Sequence, residues 1–395
     1  MTAPSRIVRQ LLTPFFALLL LAPASSGLAE ACRIGFDVGS SGIRMGPAKY
    51  PEKARIAIDY LGDVWPDHEI NITVEPTIQA FRELPGRGGA PEGCLPVAGG
   101  YSAWRFALQK GDPAILVETL QKIHAQTGVP LFIIPQDIEG THGHLAARQS
   151  LGEKLTTPFI LDLGGGSVQI AGEQSGWGSD LGQKAWRKLF CEQVKKNKDP
   201  ACSPNPVGDK AIEETLRLLQ PRFEDAVKAV GTELNITAIS APVVKTLHPV
   251  LKYLADERQA IPSGGVDDRG FDRATLLDAI GLLQEMDDTG LNRLLNDPLT
   301  HPGQPVCDVK YLATLVTDML LIHAIMENLE IQRMEVAFAS ITNVPGLIAD
   351  PRAEAWRARY PCYLEKLLLL GVDAYKADPA SCPLLPVPET GAPAR

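Results

Sequence analysis

The sequence predicts an α/β protein built from two duplicated lobes that share one cleft, and three observations carry that expectation. Phe36–Met45, FDVGSSGIRM, and Leu161–Ile170, LDLGGGSVQI, repeat one pattern: an apolar run, Asp, one apolar residue, a Gly/Ser turn and a second strand-like segment. Between the copies, short apolar runs alternate with stretches of helical periodicity. No low-complexity linker divides the halves, so a single interface is expected.

Taken in order, the first 31 residues stand apart. Arg6 and Arg9 precede an apolar stretch from Leu11 to Ala22, and Ala29-Glu30-Ala31 follows. Residues 1–31 therefore read as a secretory signal peptide, its apolar part too short for a comfortable membrane span. A periplasmic or secreted location follows from it. A retained anchor is the less favoured alternative, as is lipidation at Cys32, since Glu30 sits badly before a lipid-bearing cysteine. The first lobe is expected over residues 32–155, the second over 156–350, and a C-terminal helix with a Pro-rich tail over 351–395.

The first lobe opens on a strand, RIGFDV. It continues with a helix near Thr77–Glu83, a strand near Leu95–Gly99, a helix over Pro113–Gln126, a strand at Pro130–Ile134 and a helix starting near Glu139. The second half is richer in helix. Residues 211–230 are helical in period with a break expected at Pro221, and Asp272 is placed to cap the next helix. Val309–Leu329 is very apolar despite Asp318 and His323 and reads as a buried core helix feeding the strand MEVAFAS. The final CPLLPVPETGAPAR is expected to be a disordered tail.

With 38 basic against 47 acidic residues the chain carries a formal charge of −9, and loss of the leader leaves it acidic. Such a surface does not steer toward nucleic acid, and an anionic substrate needs local positive charge or a metal. Of seven cysteines, Cys191 with Cys202 and Cys362 with Cys382 make plausible local disulfides, whereas the pairing of Cys32, Cys94 and Cys307 is open. No Cys/His set has zinc spacing. His142 and His144 lie two apart on a helix, hence on different faces, and read as solvated or cleft-wall residues rather than joint metal ligands. The KKNK run at 195–198 reads as the exposed face of a disulfide loop.

An Asp at a strand end followed by Gly and Ser offers backbone N–H groups and room for a bulky anion. One such turn is ordinarily a plain hairpin. Two facing turns would grip a polyphosphate from both sides. The paired DVGSSG and DLGGGS loops resemble the two phosphate loops of the sugar kinase–heat-shock chaperone–actin superfamily. Within it they are most similar to exopolyphosphatase/guanosine pentaphosphate phosphohydrolases (Ppx/GppA), with apyrases as a near rival. The resemblance runs from Arg33 to about Ile348 and is specific at four short motifs. GYSAWRFA resembles the family's small-residue segment leading to an arginine, with Tyr101 where a threonine is usual. IIPQDIEGTHGHLAARQSLG carries a Glu-Gly on the turn from strand to helix.

The resemblance implies a two-lobe, duplicated actin-like ATPase (ribonuclease H-like) fold with its active site between the lobes. It implies Glu139 as the base that orients and deprotonates water, and Asp37 and Asp162 as holders of Mg²⁺. Gly39, Ser40, Ser41, Arg44, Arg105, Gly164, Gly165, Gly166 and Ser167 are implied to bind the substrate's phosphates. The activity expected is Mg²⁺-dependent release of terminal phosphate from polyphosphate or guanosine pentaphosphate. The alternatives are an apyrase-like nucleotidase and a relative that binds phosphate without turnover. Three departures bear on this choice. Gln169 stands where the phosphatase family has Glu; ISAPVVKT has Pro242 in place of a Gly-containing turn; and SITNVPGL keeps Ser340 and Gly346 but lacks the family's Arg and Glu.

Overall fold

The structure, a computed structural model, describes residues 32–47, 53–64, 70–296, 305–337 and 342–384. The leader, Ser340 and the tail beyond Leu384 lie outside the described residues.

Among the described residues two sheets form. The first contains β1 (Arg33–Gly39), β2 (Gly42–Pro47), β3 (Ala54–Ile56), β4 (Leu95–Gly100) and β5 (Leu131–Ile133), in the order β3-β2-β1-β4-β5. β1 is antiparallel to β2 and parallel to β4, and β4 is parallel to β5. Five consecutive residues of β1 are buried, as expected of a strand covered by helices on both faces. Those helices are α1 (Tyr60–Val64), α2 (Val74–Arg87), α3 (Ser102–Lys110), α4 (Pro113–Thr127) and α5 (Gln136–Leu151).

The second sheet contains β6 (Phe159–Leu163), β7 (Val168–Ala171), β8 (Gly176–Ser179), β9 (Ile236–Ala238), β10 (Val266–Asp267), β11 (Gly270–Asp272) and β12 (Arg333–Val336). Its order, β10-β11-β12-β9-β6-β7-β8, contains the first sheet's pattern. β6 is antiparallel to β7 and parallel to β9, and β9 is parallel to β12. The sequence repeat is thus a repeat of topology, and the two-lobe α/β expectation describes this fold. Around this sheet lie α6 (Gln183–Gln193), α7 (Ala211–Val230), α8 (His248–Lys252), α9 (Arg273–Leu283), α10 (Asp288–Asn296) and α11 (Leu315–Asn328). Every residue of α11 from Leu315 to Met326 is buried, which accounts for a run that is apolar on all sides.

Several local expectations change. α7 runs unbroken through Pro221, because that proline is exposed while Thr215, Leu219, Phe223, Ala226 and Val230 keep one face buried. Asp272 occupies the cap position of α9 but bonds Arg333 at 2.8 Å instead of the helix N–H groups. Lys195 turns inward, its Nζ donating to the carbonyls of Ser203, Pro204 and Pro206 at 3.1, 3.2 and 3.2 Å. Both expected disulfides form, Cys32 pairs with Cys94, and Cys307 is a buried thiol. A sulfur joined to Cys94 is not available for lipidation.

The expected boundary at residue 350 also moves. α12 (Val344–Ala349), α13 (Pro351–Arg357) and α14 (Tyr360–Leu370) return to the first lobe, where Val344, Leu347, Trp356, Tyr360, Tyr363 and Tyr375 join its core. The Tyr363 hydroxyl accepts from Ile133 N at 2.8 Å, and the Tyr360 hydroxyl donates to Leu131 O at 3.0 Å. These bonds close the outer edge of β5.

Candidate active site

Both Gly/Ser turns are hairpin turns with matching register. In the first, Asp37 pairs with Arg44, Val38 with Ile43 and Gly39 with Gly42, leaving Ser40 and Ser41 at the tip. In the second, Asp162 pairs with Gln169 and Leu163 with Val168, and Gly164 N donates to Ser167 O at 2.9 Å. The turns face each other. A side chain on Gly165 would come within 2.9 Å of the Ser40 Oγ, and one on Gly166 within 3.1 Å of Ser102.

The second turn is braced from behind by the first turn of α6. Gln183 N donates to Gly164 O at 2.9 Å and Lys184 N to Gly165 O at 2.8 Å. Gly182 permits this approach, since a Cβ there would lie 2.2 Å from Ser167 N and 2.4 Å from Gly166 N. The Gln183 amide bonds in turn to the Asp318 carboxyl on α11 and, at 3.1 Å, to Thr314. Burial pushes the Asp318 carboxyl up to about 7.

Glu139 is the fourth residue of α5, which starts at Gln136, and it is buried where the lobes meet. The Arg105 guanidinium, also buried, lies 2.6 Å from its Oε2. Arg105 further donates to Ile134 O at 2.8 Å and to the Ser167 hydroxyl at 3.3 Å. The Gln169 amide donates both to Glu139 Oε2 at 3.0 Å and to Ser167 Oγ at 2.9 Å. Burial raises the Glu139 carboxyl to about 7 against the opposing pull of Arg105, with Asp162 and Asp37 adding to the rise.

Asp37 and Asp162 lie near the ends of β1 and β6, the corresponding strands of the two sheets. Asn343 N donates to Asp37 Oδ2 at 3.1 Å, and Arg44 Nη1 stands 3.9 Å from the same oxygen. Burial lifts the Asp162 carboxyl to about 6; Arg44 opposes the rise and Asp37 adds to it. Two carboxylates close enough to repel suit a shared divalent cation. Among the described residues no cluster of three or more His, Cys, Asp or Glu side chains could cage a metal. Asp37 and Asp162 as donors fit Mg²⁺ held by one or two carboxylates and completed by substrate oxygens and water.

Every sequence-predicted site residue thus lies at one junction: Asp37, Gly39, Ser40, Ser41, Arg44 and Arg105 from the first lobe, Asp162, Gly164, Gly165, Gly166 and Ser167 from the second, and Glu139 between them. His142 and His144 are not solvated. Both are buried, and His142 Nε2 lies 3.1 Å from Asp350 Oδ2 in the returning segment. Sequence reasoning missed Asn343, Gln183 and Gly182. It recorded Gln169 only as a departure, although its place opposite Asp162 in the hairpin already aimed it at the site.

No family model matches the sequence. An uncharacterized protein of Streptomyces coelicolor is 34% identical over 126 residues, 31% of this chain and 35% of that protein, so the match spans about a third of the relative's length. Among solved structures, a Ppx/GppA family member from Aquifex aeolicus aligns with a TM-score of 0.56 at 15% identity, over 80% of this chain and 96% of its own. An exopolyphosphatase from Cytophaga hutchinsonii gives 0.51 at 12% identity, over 80% and 96%. An exopolyphosphatase-like protein gives 0.54 at 17%, over 81% and 98%. At these identities the likeness is one of fold: this chain has the two-lobe, actin-like fold of the Ppx/GppA structures.

Proposed function

We propose that this protein is an exported, Mg²⁺-dependent phosphoanhydride hydrolase that releases terminal phosphate from polyphosphate or guanosine pentaphosphate. One observation carries the reading: a buried carboxyl, Glu139, stands where two facing Gly/Ser hairpins meet, with a pKa raised to about 7. A base with that pKa is matched to proton transfer near neutral pH. The Gly39–Ser41 and Gly164–Ser167 turns hold the terminal phosphate between them, and Arg44 and Arg105 offset its charge. Glu139 accepts a proton from the attacking water as its oxygen bonds to phosphorus, and the bridging oxygen departs with the rest of the substrate. Gln169 and Arg105 fix the Glu139 carboxylate while this happens. Mg²⁺, held by Asp37 and Asp162, would neutralise charge on the phosphate oxygens. Three disulfides fit an oxidising compartment, which agrees with export by the N-terminal segment.

The test is phosphate release by the purified mature protein with and without Mg²⁺, from polyphosphate, guanosine pentaphosphate and ATP in parallel. Release that needs Mg²⁺ and falls at least about a hundredfold in Glu139→Gln is the expected result. A preference for ATP would instead mark a nucleotidase. Binding without release from any substrate would mark a phosphate-binding relative and defeat the hydrolase reading.

A further inference from the structure

Tyr101 stands between β4 and α3, in the place where the resembling motif carries a threonine, and nothing in the mechanism above uses it. Its side chain is 1% exposed, and its hydroxyl has no hydrogen-bond partner among the described residues. A buried phenol left unpaired is destabilising, so its presence here calls for an explanation. The hydroxyl lies over Gly99, where a Cβ would come within 2.7 Å of it. Gly99 is the register partner of Asp37 in the parallel pairing of β1 with β4. Tyr101 is also one helical turn before Arg105, whose N–H its carbonyl accepts at 3.0 Å, and Arg105 grips Glu139. The unpaired hydroxyl is therefore enclosed over Gly99, beside the strand that carries Asp37, and within reach of the charges of Asp37 and Glu139.

We propose that the Tyr101 hydroxyl is a water-positioning group of this site, hydrogen-bonded to the oxygen of the water that Glu139 deprotonates. That oxygen belongs to the attacking water before reaction and to orthophosphate after it. An ordinary phenol, with a pKa of about 10, keeps its proton at neutral pH, so the group remains a donor. A threonine hydroxyl on the same backbone ends several ångströms short of a tyrosine hydroxyl. The exchange at 101 therefore moves a donor from the start of α3 to a place over Gly99, on the strand beside Asp37.

The inference rests on the hydrolase reading only for the identity of the oxygen, and its test does not need turnover. Tyr101→Phe keeps the ring and removes the hydroxyl. Orthophosphate with Mg²⁺ is the probe, its affinity measured by calorimetry and the fold by thermal melting. Without ligand the variant is expected to melt at or above the wild-type temperature, because it loses a polar atom that had no partner. It is expected to bind orthophosphate about tenfold more weakly, the loss of one hydrogen bond to a charged ligand, and to lower kcat similarly with KM little changed. Equal orthophosphate affinity in the two proteins overturns the inference and leaves the hydrolase reading standing. So does a variant that melts well below wild type without ligand, since the hydroxyl then serves the fold. Absence of turnover together with weakened orthophosphate binding defeats the hydrolase reading and upholds Tyr101. No orthophosphate binding by the wild type defeats both.

Discussion

The two hairpins share a register and differ in what faces the aspartate: Arg44 stands opposite Asp37, and Gln169 opposite Asp162. The first turn is half-exposed and lightly held, with Leu61 N on Ser40 O at 3.3 Å and Arg55 on Ser41 O at 3.4 Å. The second is enclosed and locked by α6, Arg105 and Gln169. On the proposed reading the copies divide the work: the first supplies the Arg44 charge toward a polyanion, while the second supplies a braced backbone template and aims Glu139.

Breaking the second hairpin should therefore hurt far more than breaking the first. Arg105→Ala leaves Glu139 buried beside an empty place and should cost about 3–5 kcal/mol of stability at pH 8 in denaturant titrations. The loss should shrink at pH 5, where Glu139 is neutral; a pH-independent loss would mean that packing, not charge, is what Arg105 supplies. Gly182→Ala forces a methyl into the backbone of the turn and should cost about 1–3 kcal/mol, with weaker Mg²⁺-orthophosphate binding. Gln169→Glu sets a second carboxylate beside Glu139. Activity at pH 7 should fall about tenfold while the acidic limb of the rate profile moves up by roughly one pH unit. An unmoved limb would show that Glu139 is not the base. Ser41→Ala, in the lightly held turn, should change the melting temperature by about a degree or less.

pH sharpens the same contrast. The Glu139, Asp162 and Asp318 carboxyls have raised pKa values in the folded protein, so folding favours their neutral forms. Their contribution to stability is full below the ordinary carboxylate range, near pH 4, and is lost as pH rises through about 6 to 7. The proposed mechanism needs Glu139 ionised, so activity should climb through the range in which these groups lose stability. Melting curves of wild type and Glu139→Gln across pH 5 to 8 check this: the variant should gain on the wild type toward pH 8. A constant difference would show that Glu139 titrates in its ordinary range.

The duplicated lobes, both hairpins and Glu139 were legible because each is written in contiguous residues: an Asp at a strand end, a Gly/Ser turn, a Glu-Gly after a strand. What escaped depends on contacts between residues far apart in sequence. The partnership of Arg105 with Glu139 required knowing that α3 and α5 converge. The support of Gly164 by Gln183, whose side chain Asp318 holds, joins three separate elements. Helical spacing ruled out joint metal ligation by His142 and His144, but spacing alone could not foresee that both would be buried. Pro221 misled because a proline disrupts a helix through its missing N–H and its ring, and on the exposed face of α7 the buried side is left intact.

The tyrosines that cap the outer edge of β5 carry a consequence for the order in which the molecule comes into being. β5 is made early in synthesis, while Tyr360 and Tyr363 arrive more than two hundred residues later. Throughout that interval, and during any passage across a membrane, the nascent first lobe has an open strand edge able to pair with a neighbouring chain. The lobe that emerges first is the one finished last. Premature termination anywhere before α14 should therefore yield aggregation-prone material instead of a free-standing phosphate-binding lobe.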